Sequence, residues 1–181
     1  MDSWSPEAAL AAAQPPASLS QLALTALPPR NIGSRPAFAV EFSVSCKTCN
    51  HAVFLISGFP KIAPDPSPYY GLPPGKTFWR PPHNLKCLNC GSVAKLFDAR
   101  TDGYDGICNG GCSYESGTDG ETFVPGSFKV TVTPVYNIEL SEIIESAAAF
   151  GVQTPDLFDS FVIHGDPVGG GKRFETHYEC A

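Results

Sequence analysis

From Ala37 the chain alternates, with Phe38, Val40, Phe42 and Val44 on one side and Ala39, Glu41 and Ser43 on the other. A period of two predicts a half-buried β-strand. The same period returns at Phe128, Val130 and Val132, set against Lys129, Thr131 and Thr133, and predicts a second strand that Pro134 ends or bulges. Apolar runs at 52–56 and 93–97 predict two shorter strands. From Ile138 the spacing turns helical. Ser141 can cap, Glu142 and Glu145 sit early, Ile143, Ile144, Ala147, Ala148 and Phe150 share a face, and Gly151 is a C-terminal stop. Thr154-Pro155-Asp156 opens a further helix with Leu157, Phe158, Phe161 and Val162 inward and Gly165 at its end. Together these two segments predict a C-terminal helical hairpin.

The first 36 residues are rich in Ala, Pro, Ser and Leu. Ser5-Pro6-Glu7 is a helix start, and Pro15-Pro16 stops the helix soon after. Leu19, Leu22 and Leu27 are spaced to line a second short helix, ended by Pro28-Pro29. Residues 58–82 hold eight prolines with Phe59, Tyr69, Tyr70, Phe78 and Trp79. So long a connection reads as an ordered flap, because prolines lower the entropy lost on ordering and aromatics supply contact area. The expected fold class is α+β: a small antiparallel sheet stapled by zinc, a C-terminal helical hairpin and an N-terminal extension. The expected divisions are 1–36 for the extension, 37–136 for the β domain with its flap, and 137–181 for the acidic hairpin and tail on the same core.

Charge narrows the choice of partner. The net charge is −6, and residues 137–181 carry eight acids against only Lys172 and Arg173, while residues 37–136 carry eight of each sign. No basic footprint for nucleic acid is present. The segment 154–165 holds Asp156 and Asp159 and no Lys or Arg, which excludes a helix–turn–helix reader of DNA. Tyr69, Tyr70 and Trp79 beside Lys76 and Arg80 suit stacking on a single-stranded nucleic acid, but the neutral middle segment argues against it. Gly71 to Thr77 is one residue short of a phosphate loop, and Pro81-Pro82 prevents the helix such a loop needs. There is no basic n-region, and prolines break the N-terminal apolar run, so neither a signal peptide nor a membrane span is expected.

The seven cysteines fall mostly in close pairs, a pattern of metal binding in a reducing, cytoplasmic setting. Cys46-Lys47-Thr48-Cys49 and Cys87-Leu88-Asn89-Cys90 each form a knuckle that supplies two corners of a tetrahedron. Two quartets are available. Cys46, Cys49, Cys87 and Cys90 join the two knuckles, both of which lie between apolar runs and so on expected hairpin tips. Cys87, Cys90, Cys108 and Cys112 form the other, with 17 residues between the pairs. The first quartet is preferred, because Cys108 and Cys112 have a wider gap and lie among glycines. His51 replacing a thiolate, a two-site arrangement, unmetallated thiols or an iron–sulfur cluster are the alternatives. A closed set of four thiolates leaves no position for water, so the expected zinc is structural and no catalytic residue is assigned.

The knuckles resemble those of zinc-ribbon and zinc-stapled β-proteins over residues 37–112. A similarity to methionine-R-sulfoxide reductases, which also pin a β-fold with two CxxC pairs, implies a separate catalytic cysteine that only Cys108 or Cys112 could supply. The histidines of such a site are missing there, since Gly106-Ile107 and Asn109-Gly110-Gly111 stand in their place. His51, His83, His164 and His177 are scattered and sit at no recognisable spacing from a nucleophile. The expected function is a non-enzymatic protein-interaction module with structural zinc and a protein partner. The alternative is a thiol-redox enzyme using Cys108 with Cys112.

Overall fold

The computed structural model describes residues 17–27, 38–39, 41–67, 73–98, 119–136 and 158–179. A 3₁₀ turn, Ala17–Gln21, leads into β1 (Leu22–Ala26). The first alternating run becomes β2 (Phe38–Ala39) and β3 (Phe42–Cys46). After these come β4 (Phe54–Ile62), β5 (Thr77–Cys87), β6 (Val93–Phe97), β7 (Thr122–Phe123), β8 (Phe128–Tyr136), β9 (Phe158–Pro167) and β10 (Phe174–Glu179). All belong to one sheet with the path β1-β3-β8-β4-β5-β6.

β2 and β3 keep a single register along β8, with Phe38 opposite Tyr136, Ala39 opposite Val135, Phe42 opposite Val132 and Ser43 opposite Thr131. They are one line of chain with one interruption. β4 resumes that line further on, Phe54 opposite Phe128 and Ser57 opposite Phe123. β9 covers the other edge of β8, and β10 folds back on β9. The two ends of the path meet through the 3₁₀ turn, where the Lys95 N–H donates to Gln21 Oε1 at 3.1 Å. The sheet is thereby nearly closed into a barrel, which removes most exposed edges.

The inward side chains of successive strands fill the barrel: Phe42 and Val44, Phe54 and Ile56, Leu85 and Cys87, Leu96 and Phe97, Phe128, Val130 and Val132, Phe161 and Ile163. Phe97 and Phe161 stack with ring centroids 5.1 Å apart. Cys46 and Cys87 belong to the same cluster, so the cysteine site stands directly on the core.

The α+β expectation is overturned: among the described residues there is no α-helix, and the fold is nearly all β. The segment read as the second C-terminal helix is β9. Phe161, Ile163 and Gly165 are buried in alternation with half-buried Val162 and His164, and pairing to β8 and β10 on both edges outweighs the helical spacing. A Cβ on Gly165 would stand 3.0 Å from Ile56 Cδ1 and 3.1 Å from Phe128 Cδ1, so the core packs against bare backbone there. The helix expected at 138–151 lies outside the described residues.

Two further expectations change. Leu19 and Leu22 are buried, but the second short helix is instead the 3₁₀ turn followed by β1, which pairs with β3. Much of the 58–82 flap is β-hairpin, with Pro60 opposite Trp79 and Ile62 opposite Thr77. The β4–β5 register shifts between Ser57 and Phe59, across from Pro81 and Pro82, so the ladder is interrupted where those prolines fall.

Candidate metal centre

Each CxxC bends through the same set of backbone bonds. The Cys46 N–H donates to the His51 carbonyl at 2.8 Å, and the Asn50 N–H donates to the Cys46 carbonyl at 2.7 Å. In the other knuckle the Cys87 N–H donates to the Ser92 carbonyl at 2.9 Å, and the Gly91 N–H donates to the Cys87 carbonyl at 2.9 Å. The residue after each second cysteine is left-handed, Asn50 at φ 60° and Gly91 at φ 72°. Glycine adopts that conformation freely, and asparagine is among the few other residues that tolerate it. The N–H groups two and three residues on, of Thr48 and Cys49 and of Asn89 and Cys90, donate to the sulfurs of Cys46 and Cys87.

The knuckles differ in how they enter the sheet. Cys87-Leu88-Asn89-Cys90 turns the β5–β6 hairpin, with Lys86 opposite Val93. Cys46-Lys47-Thr48-Cys49 joins β3 to β4, which are not paired with each other, so the expected hairpin is not formed there. It is instead a detour between two segments that follow one another along β8 and β7. The Leu88 N–H donates to the Val53 carbonyl at 3.1 Å and ties the second knuckle to the first.

The structure brings Cys46, Cys49, Cys87 and Cys90 together, with all four Sγ atoms within 4.8 Å of one another. The close pairs cross between knuckles: Cys46 to Cys90 and Cys49 to Cys87, each 3.6 Å. First cysteine meets second in both pairs, as a local two-fold relation requires. A tetrahedral ion with bonds of about 2.3 Å sets its sulfurs about 3.8 Å apart, so this cluster could hold a metal ion. Cys108, Cys112 and Cys180 lie outside the described residues.

Electrostatics favour ionised sulfur on one side of the cluster. Ser92 Oγ lies 3.3 Å from Cys46 Sγ and 3.0 Å from Cys90 Sγ. That hydroxyl is the largest influence holding the Cys46 thiol down, to about 6, with the Thr48 and Cys49 N–H groups adding to it against burial. Ser92 lowers Cys90 as well, through its hydroxyl and then its N–H. Burial instead pushes Cys87 up to about 11. A cation among the sulfurs reverses that, because a coordinating thiol is deprotonated outright. Ser92 was not singled out from sequence; its signal was a hydroxyl two residues past Cys90, where the first knuckle carries His51.

The other candidates disperse. His51 is half-buried and outside the sulfur cluster. His83 is fully buried, its ring 5.9 Å from that of Phe174 and its Nδ1–H donating to the Ser57 carbonyl at 3.1 Å. His164 Nε2 lies 3.3 Å from Glu175 Oε2, and His177 falls on β10. Trp79 packs against the core, Lys76 is exposed and Arg80 is half-buried, while Tyr69 and Tyr70 lie outside the described residues. Among the described residues no helix is long and apolar enough to cross a membrane. Comparison with known protein families, curated proteins and solved structures finds no match.

Proposed function

We propose that Cys46, Cys49, Cys87 and Cys90 hold one structural zinc ion, and that this zinc-clamped β-barrel is a non-enzymatic binding module with a protein partner in a reducing compartment. The observation that carries the metal reading is the pair of 3.6 Å sulfur separations crossing between knuckles. Four thiolates satisfy a tetrahedral zinc completely, so water has no site on the ion and the metal's role is to fix shape. The ligands that zinc needs are thiolates, which persist where thiols are kept reduced. The clamp holds out a surface for the partner: Leu88, between the two cysteines of the second knuckle, is 48% exposed. A solvent-facing leucine on that turn offers apolar area for a partner to bury.

Metal analysis of protein purified without added zinc tests the first part. One zinc per chain and no visible charge-transfer band support it, whereas iron with a brown chromophore replaces zinc by a cluster. For the second part, Leu88→Ser keeps the zinc and releases a captured partner. Unchanged capture moves the interface away from the knuckle.

A further inference from the structure

We infer that the notch on the outer face of β4, β5 and β6 is a binding site for a small zwitterion, an α-amino acid with an apolar side chain. The notch has a volume of about 510 Å³, within the range of small-ligand pockets. Ile56, Leu85 and Cys87 face the core, so the alternating Ser57, Asn84 and Lys86 lie on the opposite face of the sheet, where Lys86 is exposed, Asn84 half-buried and Ser57 covered. Glu121, from the turn before β7, closes over them. Its Oε1 accepts from Ser57 Oγ at 2.6 Å and from Asn84 Nδ2 at 2.8 Å.

Those two neutral donors fix the Glu121 carboxylate without cancelling its charge. Among the described residues no cation pairs with it, and no anion pairs with Lys86, two residues from Asn84 on the same face of β5. The walls are apolar. Phe123 stands opposite Ser57 and Val93 opposite Lys86 in the ladders, and these are 48% and 63% exposed. Among the described residues, two of the five exposed large hydrophobic side chains therefore line this one notch. A purely cationic ligand would meet Lys86 and a purely anionic one would meet Glu121. An amino acid offers an ammonium to Glu121, a carboxylate to Lys86 and a side chain to Val93 and Phe123. No bond is made or broken. The inference goes beyond the zinc reading, since none of these residues is a proposed metal ligand.

Isothermal titration of the full, zinc-loaded chain with L-leucine tests it. Saturable one-to-one binding is expected, at least about tenfold weaker for N-acetylleucine, which lacks the ammonium, and for leucinamide, which lacks the carboxylate. Glu121→Gln keeps a carbonyl for Ser57 and Asn84, and Lys86→Gln is exposed, so both variants are expected to fold and to bind leucine at least about tenfold more weakly. Weaker binding of leucylglycine supports the free amino acid; tighter binding would overturn it in favour of a peptide. No heat from either compound, equal binding of the blocked analogues, or variants that bind like the original chain would overturn the inference. Zinc content measured on the same samples separates this outcome from failure of the metal site.

Discussion

Asn50 and Gly91 are equivalents. Each follows the second cysteine of a knuckle, each is left-handed, and each donates its N–H to the carbonyl of the first cysteine, at 2.7 Å and 2.9 Å. A Cβ on Gly91 would have nothing within 4 Å, so a substitution there costs backbone strain alone. Gly91→Ala is expected to lose about 1–2 kcal/mol, and Gly91→Asn, copying the first knuckle, about half of that. Urea unfolding of the zinc-loaded proteins checks the order; equal losses would show that backbone strain is not what selects these residues.

Gly58 answers to a different constraint. A Cβ there would stand 2.6 Å from His83 Nδ1 and 2.9 Å from its Cε1, and His83 has no exposed surface into which to retreat. Gly58→Ala should therefore cost about 1–3 kcal/mol, as overpacking of a filled core does. A variant as stable as the parent would mean that the His83 ring can move.

His83 also sets a pH dependence. Burial lowers its pKa from 6.5 to about 4, against smaller opposing effects of the Ser57 carbonyl and Glu121. Between those values the unfolded chain holds the proton and the folded chain does not, so stability falls as pH falls from about 6.5 to about 4 and this loss levels off below. The total is of the order of 3 kcal/mol. The thiolates respond to acid too, so the comparison is with His83→Gln, which keeps the cysteines and removes this titration. Parallel stability curves for the two proteins across that window would contradict a neutral, buried His83.

Ser92 supports two sulfurs with one hydroxyl, 3.3 Å from Cys46 Sγ and 3.0 Å from Cys90 Sγ. Hydrogen bonds of this supporting kind are worth 10–100-fold in metal affinity. Ser92→Ala is expected to weaken zinc binding by about that factor in a competition titration with a chromophoric chelator, and Ser92→Thr to restore most of it. An unchanged affinity would leave the hydroxyl no part in holding the ion.

How much of this the sequence carried depends on which residues are asked. The alternation about Phe42 and Val44, and about Phe128, Val130 and Val132, places real strands, because each has one face in the barrel and one outside. The spacing of Cys46, Cys49, Cys87 and Cys90 brings four sulfurs together. The error at β9 has a physical cause: Phe158, Phe161 and Val162 fit a helical face, while Phe161, Ile163 and Gly165 fit a strand equally well. Only the neighbouring edges of β8 and β10 choose between the two. Prolines misled at 58–82, since Pro60, Pro81 and Pro82 are tolerated within paired strands around a shift of register. The Glu121 notch was not foreseen, because Ser57, Asn84 and Glu121 are brought together by tertiary structure alone.

Thermal unfolding of one preparation before and after removal of its metal tests the proposed zinc clamp. One zinc per chain is expected and, once a strong chelator has taken it, a Tm lower by roughly 10 °C, the scale of a site filled a thousandfold above its dissociation constant. A protein purified without metal, melting at the same temperature with and without the chelator, would contradict it.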